Sequence, residues 1–336
     1  MTKFAILGAG SIGCWIGGQL MAGGAKVTLI GRDRYGAQIS KNGLGLTHFE
    51  RASIHCETVD FQTDASALTG ADIIALCVKS QDTELAAQQI LKHAPNATVI
   101  SFQNGIRNPE TLRGILPPEN IVAAIVPFNV TPTGEGEFHC GTAGDLIVSE
   151  HAGLAPLVGA LQNAGQGVQV RSQIIGDQWA KMIVNLNNGL NTLTGGTLRD
   201  GLLQRDYRRA LAACVEEALN VANRSGVSVG TFNGRPPRAL LKTLQLPNFA
   251  YRIIMQMIVK IDAKARSSML DDLEAGRVSE IDFLQGEIVK RAHLAGTGAP
   301  KNAAVLAAVQ QAFTVGQSPR LSGTDILALL GSSAKK

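Results

Sequence analysis

A chain of 336 residues with 45% hydrophobic and 17% charged side chains is long enough for two domains, each with its own core, and too apolar for wholesale disorder. Its net charge of +4 comes from scattered lysines and arginines with no long basic run, which leaves no footprint for nucleic acid or a membrane surface.

Residues 3 to 7, KFAIL, read as a short strand that runs into Gly8-Ala9-Gly10-Ser11-Ile12-Gly13, and a helical pattern follows to about Met21. The strand breaks at glycine too early for a signal peptide. Strand, glycine turn and helix in that order make a dinucleotide site. Gly8 allows the tight turn, Gly10 lets backbone approach a pyrophosphate, and Gly13 lets helix pack on strand. The helix N-terminus at Ser11 and Ile12 offers free N–H groups to the anion. A bare GxGxxG is weak evidence; the preceding strand and the second β-like run, Lys26 to Ile30, supply its context. That run ends in Gly31-Arg32-Asp33-Arg34. An acid at this point holds the ribose 2′-hydroxyl of NAD, whereas an arginine suits a 2′-phosphate. Gly31 leaves room and Arg32 can fork onto phosphate, so NADP(H) is expected, while Asp33 keeps NAD open.

Residues 43 to 61 alternate loosely and predict an inserted hairpin without chemistry. Ala71 to Val78 and Ala97 to Phe102 are apolar runs of the kind buried on both faces of a parallel sheet. They deliver Lys79-Ser80-Gln81 and Gln103-Asn104-Gly105 to the carboxyl edge, where ligands bind in open α/β sheets. Lys79, Gln81 and Asn104 are therefore site candidates by position, although each alone fits a loop residue capping a helix or turn. Three further strand-like runs, residues 121 to 130, Gly136 to Cys140 and Asp145 to Ser149, should extend the same sheet, with Pro127 at a strand end or bulge. A helix over Leu154 to Ala164 and a run over Val168 to Arg171 complete a first domain of residues 1–172.

From Gln173 the period becomes helical, and residues 173–336 are expected to form an all-helical domain. In Gly176 to Thr194 an apolar stripe carries Lys181, Asn185 and Asn188, spaced so that all three project towards one side of one helix. The plain alternative is an amphipathic helix whose lysine snorkels to water. Leu202 to Gly226 is helical with Gly226 as its stop, and Pro236, Pro237 and Pro247 punctuate short helices. The apolar stretch from Ile253 through Met255 and Met257 to Val259 reads as core or as the contact of a homodimer through the helical domain. Ser279 reads as an N-cap with Glu280 and Asp282 in the first turn. The Gly296 to Asn302 turn precedes a final helix, and the SSAKK tail should fray. The five cysteines and six histidines are dispersed, with no CxxC pair and no metal-ligand spacing. No apolar run approaches the ~20 residues that span a bilayer. Reduced thiols, no metal and a cytoplasmic location are expected.

The glycine turn, the VKSQ and SFQNG strand ends, the WxKxxxN helix and the SMLxDxxxGRxSEIDFLxG segment occur in the order expected of one family. The chain resembles ketopantoate reductases (2-dehydropantoate 2-reductases) from Met1 to about Val315. The resemblance implies an α/β fold, with an N-terminal Rossmann-type, mainly parallel sheet and a second, all-α domain, and reduction of a 2-keto acid by NADPH. It implies Lys181 as general acid and Asn185 and Ser268 as substrate contacts. Glu280 would be a carboxylate contacting the cofactor ribose or the catalytic cation, Lys79 and Asn104 would line the nicotinamide side, and Arg32 would read the 2′-phosphate. The sequence departs from the family pattern at two positions where asparagine is usual: Gly189, eight residues after the lysine, and Ala265, three before the serine. Both touch the substrate side and leave the keto acid open.

Addition of hydride to a carbonyl places negative charge on oxygen, so the site needs a proton donor and donors aimed at that oxygen. Lys181 meets both needs, while Asn185, Asn188, Ser268 and Asn104 would orient the small 2-keto acid. Two other readings stand beside this one: a reductase of a different 2-keto acid on the same scaffold, and a non-catalytic NADP(H)-sensing protein.

Overall fold

Short apolar runs alternating with helical segments build a parallel sheet whose strands are buried on both faces. The computed structural model describes residues 2–258 and 265–332. The chain divides between Ile174 and Ile175 into two units. The first contains β1 (Lys3–Leu7), β2 (Lys26–Ile30), β3 (Leu44–His48), β4 (Ile54–Cys56), β5 (Asp60–Gln62), β6 (Ile73–Leu76), β7 (Thr98–Ser101), β8 (Ile121–Ile125), β9 (Val130–Gly134), β10 (Glu137–Cys140), β11 (Leu146–Ser149) and β12 (Val168–Arg171). Eight of these form one sheet in the order β12-β11-β8-β7-β6-β1-β2-β5. From β5 to β8 all neighbours are parallel, so the carboxyl ends of β2, β1, β6 and β7 share one edge. Strand β11 runs against β8 and parallel to β12.

Residues 43 to 61 do contain a hairpin, β3 with β4. The expectation that Gly136 to Cys140 extends the main sheet is incorrect, and the run from 121 to 130 stays in that sheet only through Ile125. Strands β9 and β10 join that hairpin in a second sheet ordered β4-β3-β10-β9. Two features explain the diversion. The edge of β8 is taken by β11, and Pro132 puts a residue without an N–H into β9, which suits an edge strand.

The second sheet answers a need of the first helix. Helices α1 (Ser11–Ala22), α2 (Asp33–Asn42), α3 (Thr83–His93), α4 (Asn108–Arg113) and α5 (Ala155–Asn163) complete this unit. Every residue of α1 from Gly13 to Leu20 is buried, with Gln19 the single polar side chain among them, and a helix with so little polar surface must be covered all round. Its two faces are covered by different sheets. A Cβ on Gly17 would stand 2.4 Å from Leu29 of β2, and one on Gly18 would stand 2.6 Å from Leu46 of β3. Trp15, Ile16 and Leu20 accordingly share one core with Ile6 and Leu29 on one side and Leu44, Leu46 and Phe138 on the other.

The second unit is helical: α6 (Ile175–Asn185), α7 (Asn187–Thr194), α8 (Leu198–Leu203), α9 (Arg205–Arg224), α10 (Pro237–Leu244), α11 (Asn248–Ile258), α12 (Ser268–Glu274), α13 (Gln285–Leu294), α14 (Pro300–Val315) and α15 (Gly323–Ser332). The chain beyond Gly296 therefore carries two helices where one was expected. Residues Met255 and Met257 fall within α11, whereas Val259 and the last four residues of the tail lie outside the described residues. The axis of the unit is α9, whose buried residues include Tyr207, Leu211, Val215 and Ala218 at helical spacing. It also buries Arg208, whose guanidinium donates to the carbonyls of Leu202, Leu203, Leu244 and Leu246 and to Oδ1 of Asn248. Those carbonyls lie at or just beyond the ends of α8 and α10, where intrahelical partners run out. Glu217 works at the opposite kind of helix end. It accepts from the backbone N–H groups of Lys301 and Asn302 in the first turn of α14. No helix among the described residues is long and apolar enough to cross a membrane.

Candidate functional site

In the first unit, the parallel sheet gathers the glycine turn, Arg32, Lys79, Gln81 and Asn104 at one edge. Gly8 has a φ of +101°, and a Cβ there would lie 2.5 Å from the backbone N of Val78. A Cβ on Gly13 would lie 2.2 Å from the carbonyl oxygen of Gly8. Both positions thus exclude a side chain, one for the turn and one for the close packing of helix on strand. Gly10 is different, because nothing stands within 4 Å of where its Cβ would be. Open space over Gly10, beside the N–H groups that begin α1, is the cradle that a pyrophosphate fits.

Arg32 is exposed and leads into α2 as its N-cap, at the tip of β2. Gly31 beside it cannot carry an acid: a Cβ would approach Cβ of Ala9 to 2.8 Å and Phe61 to 3.1 Å. Lys79 precedes a 3₁₀ turn, Ser80–Asp82, on which Gln81 is exposed. Asn104 follows β7 and is partly buried. Backbone bonds from Cys77 to Leu7 and from Phe102 to Leu76 keep these strand ends in register.

In the second unit, the segment carrying Lys181 is not the single helix expected. It breaks at Leu186 into α6 and α7, where the Leu186 N–H bonds to Ile183 three residues back. Side chains from elsewhere hold the break. Gln285 donates to the Leu186 carbonyl at 2.7 Å, and the Tyr207 hydroxyl donates to Oδ1 of Asn187 at 2.6 Å. Lys181 and Asn185 therefore lie on α6 and Asn188 on α7.

Lys181 is half-buried beside the fully covered Ala180 and Met182. Burial brings its ammonium down from the ordinary 10.5 to about 8, and the charge of Glu280 acts in the opposite sense. The structure thus couples these two groups electrostatically. Ser268 is exposed at the first position of α12 and is tied to α7 through its neighbour: the Ser267 N–H donates to the fully buried Asn191 at 3.0 Å. The Glu280 segment differs from the helix start expected. Ser279 does accept from the Ile281 N–H, but only a 3₁₀ turn, Ile281–Phe283, follows, and α13 begins at Gln285.

Asn191 and Gln285, which bring the Ser268 and Glu280 segments to the lysine helices, were not singled out from the sequence. Their signal is an amide in an otherwise apolar helical stripe, since a buried amide demands partners. Gln285 also accounts for Gly189. A Cβ at that position would stand 2.7 Å from Nε2 of Gln285, so the space of an asparagine side chain is already filled by another amide.

The sequence profile described as "Ketopantoate reductase PanE/ApbA" matches residues 4–153, and that described as "Ketopantoate reductase PanE/ApbA C terminal" matches residues 173–312. The chain belongs to the ketopantoate reductase family. As a member of that family it is an oxidoreductase that takes NADP(H). A crystal structure of a PanE/ApbA family ketopantoate reductase from Ralstonia eutropha JMP134 is 30% identical, with a TM-score of 0.80 over 94% of this chain and 99% of that one. The 2-dehydropantoate 2-reductase of Pyrococcus horikoshii is 28% identical over 94% of this chain and 98% of its own length. The fold extends to D-mandelate dehydrogenase, solved with NADH and anilino(oxo)acetate. That protein is 20% identical, with a TM-score of 0.79, over 94% of this chain and 99% of that one.

Proposed function

We propose that this ketopantoate reductase family member reduces the 2-keto group of 2-dehydropantoate to the hydroxyl of pantoate, with NADPH as reductant and Lys181 as proton donor. The observation that carries the reading is the lysine brought to about 8 by burial and coupled to Glu280. A general acid works best when its pKa lies near the operating pH. NADPH, when bound, would supply the hydride for the carbonyl carbon and be oxidised to NADP⁺. The Lys181 ammonium polarises the carbonyl oxygen and delivers to it the proton that completes the alcohol, then regains one from solvent. Glu280 favours the charged form of the lysine and so keeps it loaded. Asn185, Asn188, Ser268 and Asn104 orient the carboxylate and hydroxyl of the substrate. The glycine turn with Ser11 and Ile12 holds the pyrophosphate, Arg32 forks onto the 2′-phosphate, Lys79 and Asn104 line the nicotinamide side, and Gln81 contacts the cofactor from the same edge. A cytoplasmic location accords with five free cysteines. Exposed Phe249 and Ile253, four residues apart on α11, offer apolar surface for a homodimer through the helical domain.

The test is consumption of NADPH by the purified protein over a panel of 2-keto acids that includes ketopantoate. Ketopantoate should give the largest kcat/KM. No consumption on any acid would leave a nucleotide-sensing protein instead. A second reading, a reductase of a different 2-keto acid, is favoured by Gln285 occupying the space beside Gly189 and by Ala265 where asparagine is usual. A higher kcat/KM for another acid of the panel would select it.

A further inference from the structure

Lys79 and Asn104 stand on loops that leave β6 and β7 beyond the last paired residues, Leu76 and Ser101. The sheet alone does not fix how far apart those loops stand. Five buried polar side chains lie between them: Ser80, Thr83, Ser101, Gln103 and Asn108. Nδ2 of Asn108 donates to the Asn104 carbonyl at 2.7 Å and to the Ser80 hydroxyl at 3.1 Å, so one amide joins Asn104 to the residue after Lys79. A second amide joins the residues on the other side. Nε2 of Gln103, next to Asn104, donates to the carbonyl of Val78, next to Lys79, at 3.1 Å. Thr83 links the two amides. Its hydroxyl accepts from Nε2 of Gln103 at 2.8 Å, and its single proton goes to the Ser80 carbonyl at 2.8 Å or to Oδ1 of Asn108 at 3.0 Å. Ser101 donates to Oε1 of Gln103 and fixes which way that amide faces.

We propose that Asn108, with Gln103 and Thr83, is a positioning device that cross-braces the Lys79 and Asn104 loops so that both residues meet the cofactor at a set spacing. The inference rests on the cofactor-side reading of Lys79 and Asn104. Apolar packing of equal volume would stabilise the unit as well as these hydrogen bonds do, because their net contribution to stability is small. What a satisfied buried network adds is a single geometry.

The test is NADPH binding, followed by cofactor fluorescence, in four single variants. Asn108→Asp keeps the shape of the side chain, but an ionised carboxylate cannot donate to the Asn104 carbonyl, whereas a protonated one can. Binding should be about tenfold weaker near neutral pH, the effect of one lost hydrogen bond, and should recover as the pH falls. Thr83→Val should weaken binding at every pH. Lys79→Ala and Asn104→Ala should weaken it as well. Wild-type affinity in both Asn108→Asp and Thr83→Val, with Lys79→Ala impaired, would overturn the inference. Wild-type affinity in both Lys79→Ala and Asn104→Ala would instead overturn the cofactor reading, and the inference with it. If Asn108→Asp yields no folded protein, the near-isosteric Thr83→Val decides alone.

Discussion

Replacing Lys181 with alanine removes a cation that burial holds below its ordinary pKa and that is coupled to the carboxylate of Glu280. At pH 7 a lysine with a pKa of about 8 is roughly nine-tenths protonated, so nearly every molecule is ready to donate. General acids contribute ~100- to 10,000-fold. The lower figure corresponds to ~2.7 kcal/mol of barrier. The expected result is therefore a kcat at least ~100-fold below wild type, with the Kd for NADPH little changed, measured by steady-state NADPH oxidation at saturating ketopantoate. The pH profile adds a second criterion. Activity needs the protonated amine, so wild-type kcat should fall as pH rises through about 8, the value set by burial against the pull of Glu280. The alanine variant should show a low rate without that limb. Lys181→Arg should also lack it, because a guanidinium keeps its proton throughout the range. A kcat within ~10-fold of wild type in the alanine variant, or an alkaline limb that survives in it, would refute general-acid catalysis by Lys181.

Three other substitutions probe the surroundings. Glu280→Gln removes the charge that raises the Lys181 pKa, leaving burial to act alone, and should move the alkaline limb of kcat to lower pH; an unmoved limb counts against the pair. Arg32→Ala should weaken NADPH about tenfold or more while sparing NADH, as expected when charge-assisted hydrogen bonds to a 2′-phosphate are lost, and titration with both nucleotides checks this. Gly189→Ala forces a methyl group against the Gln285 amide and should lower the thermal midpoint. The same change in a Gln285→Ala background should cost much less, and equal losses in both backgrounds would show that the two positions are uncoupled.

Strands β1 and β2 were legible to the residue, because their apolar runs are bounded by glycine and have a single plausible partner sheet. The glycine turn was legible for the same reason, since its spacing and its strand context agree. The second sheet was not. Gly136 to Cys140 looks like a strand in any case, Val130 to Gly134 lies largely within a turn-rich TPTGEG stretch, and which sheet they join depends on the β8 edge being filled by β11, a long-range competition invisible in a local pattern. A clue lay elsewhere, in the helix after the glycine turn, whose residues Cys14 to Leu20 include one polar side chain, Gln19, and so call for cover on two sides. In the second unit the type of element was readable but its continuity was not. The α6–α7 break is held by Gln285 and Tyr207, which arrive from 99 and 20 residues away. The roles of Asn191 and Gln285 were not legible because amides in a helical pattern resemble its wet face. Only burial turns them into the bonds that gather the Lys181, Ser268 and Glu280 segments.

The two glycines in the middle of α1 have a consequence for the thermodynamics of cofactor capture. With Gly17 pressed on β2, Gly18 on β3 and every residue from Gly13 to Leu20 buried, the helix is held between the two sheets and its amino end has little freedom left to lose. If the glycine turn holds the pyrophosphate as proposed, its ordering entropy is then met during folding instead of at each encounter with a nucleotide. More of the attraction between pyrophosphate and helix end therefore remains as affinity.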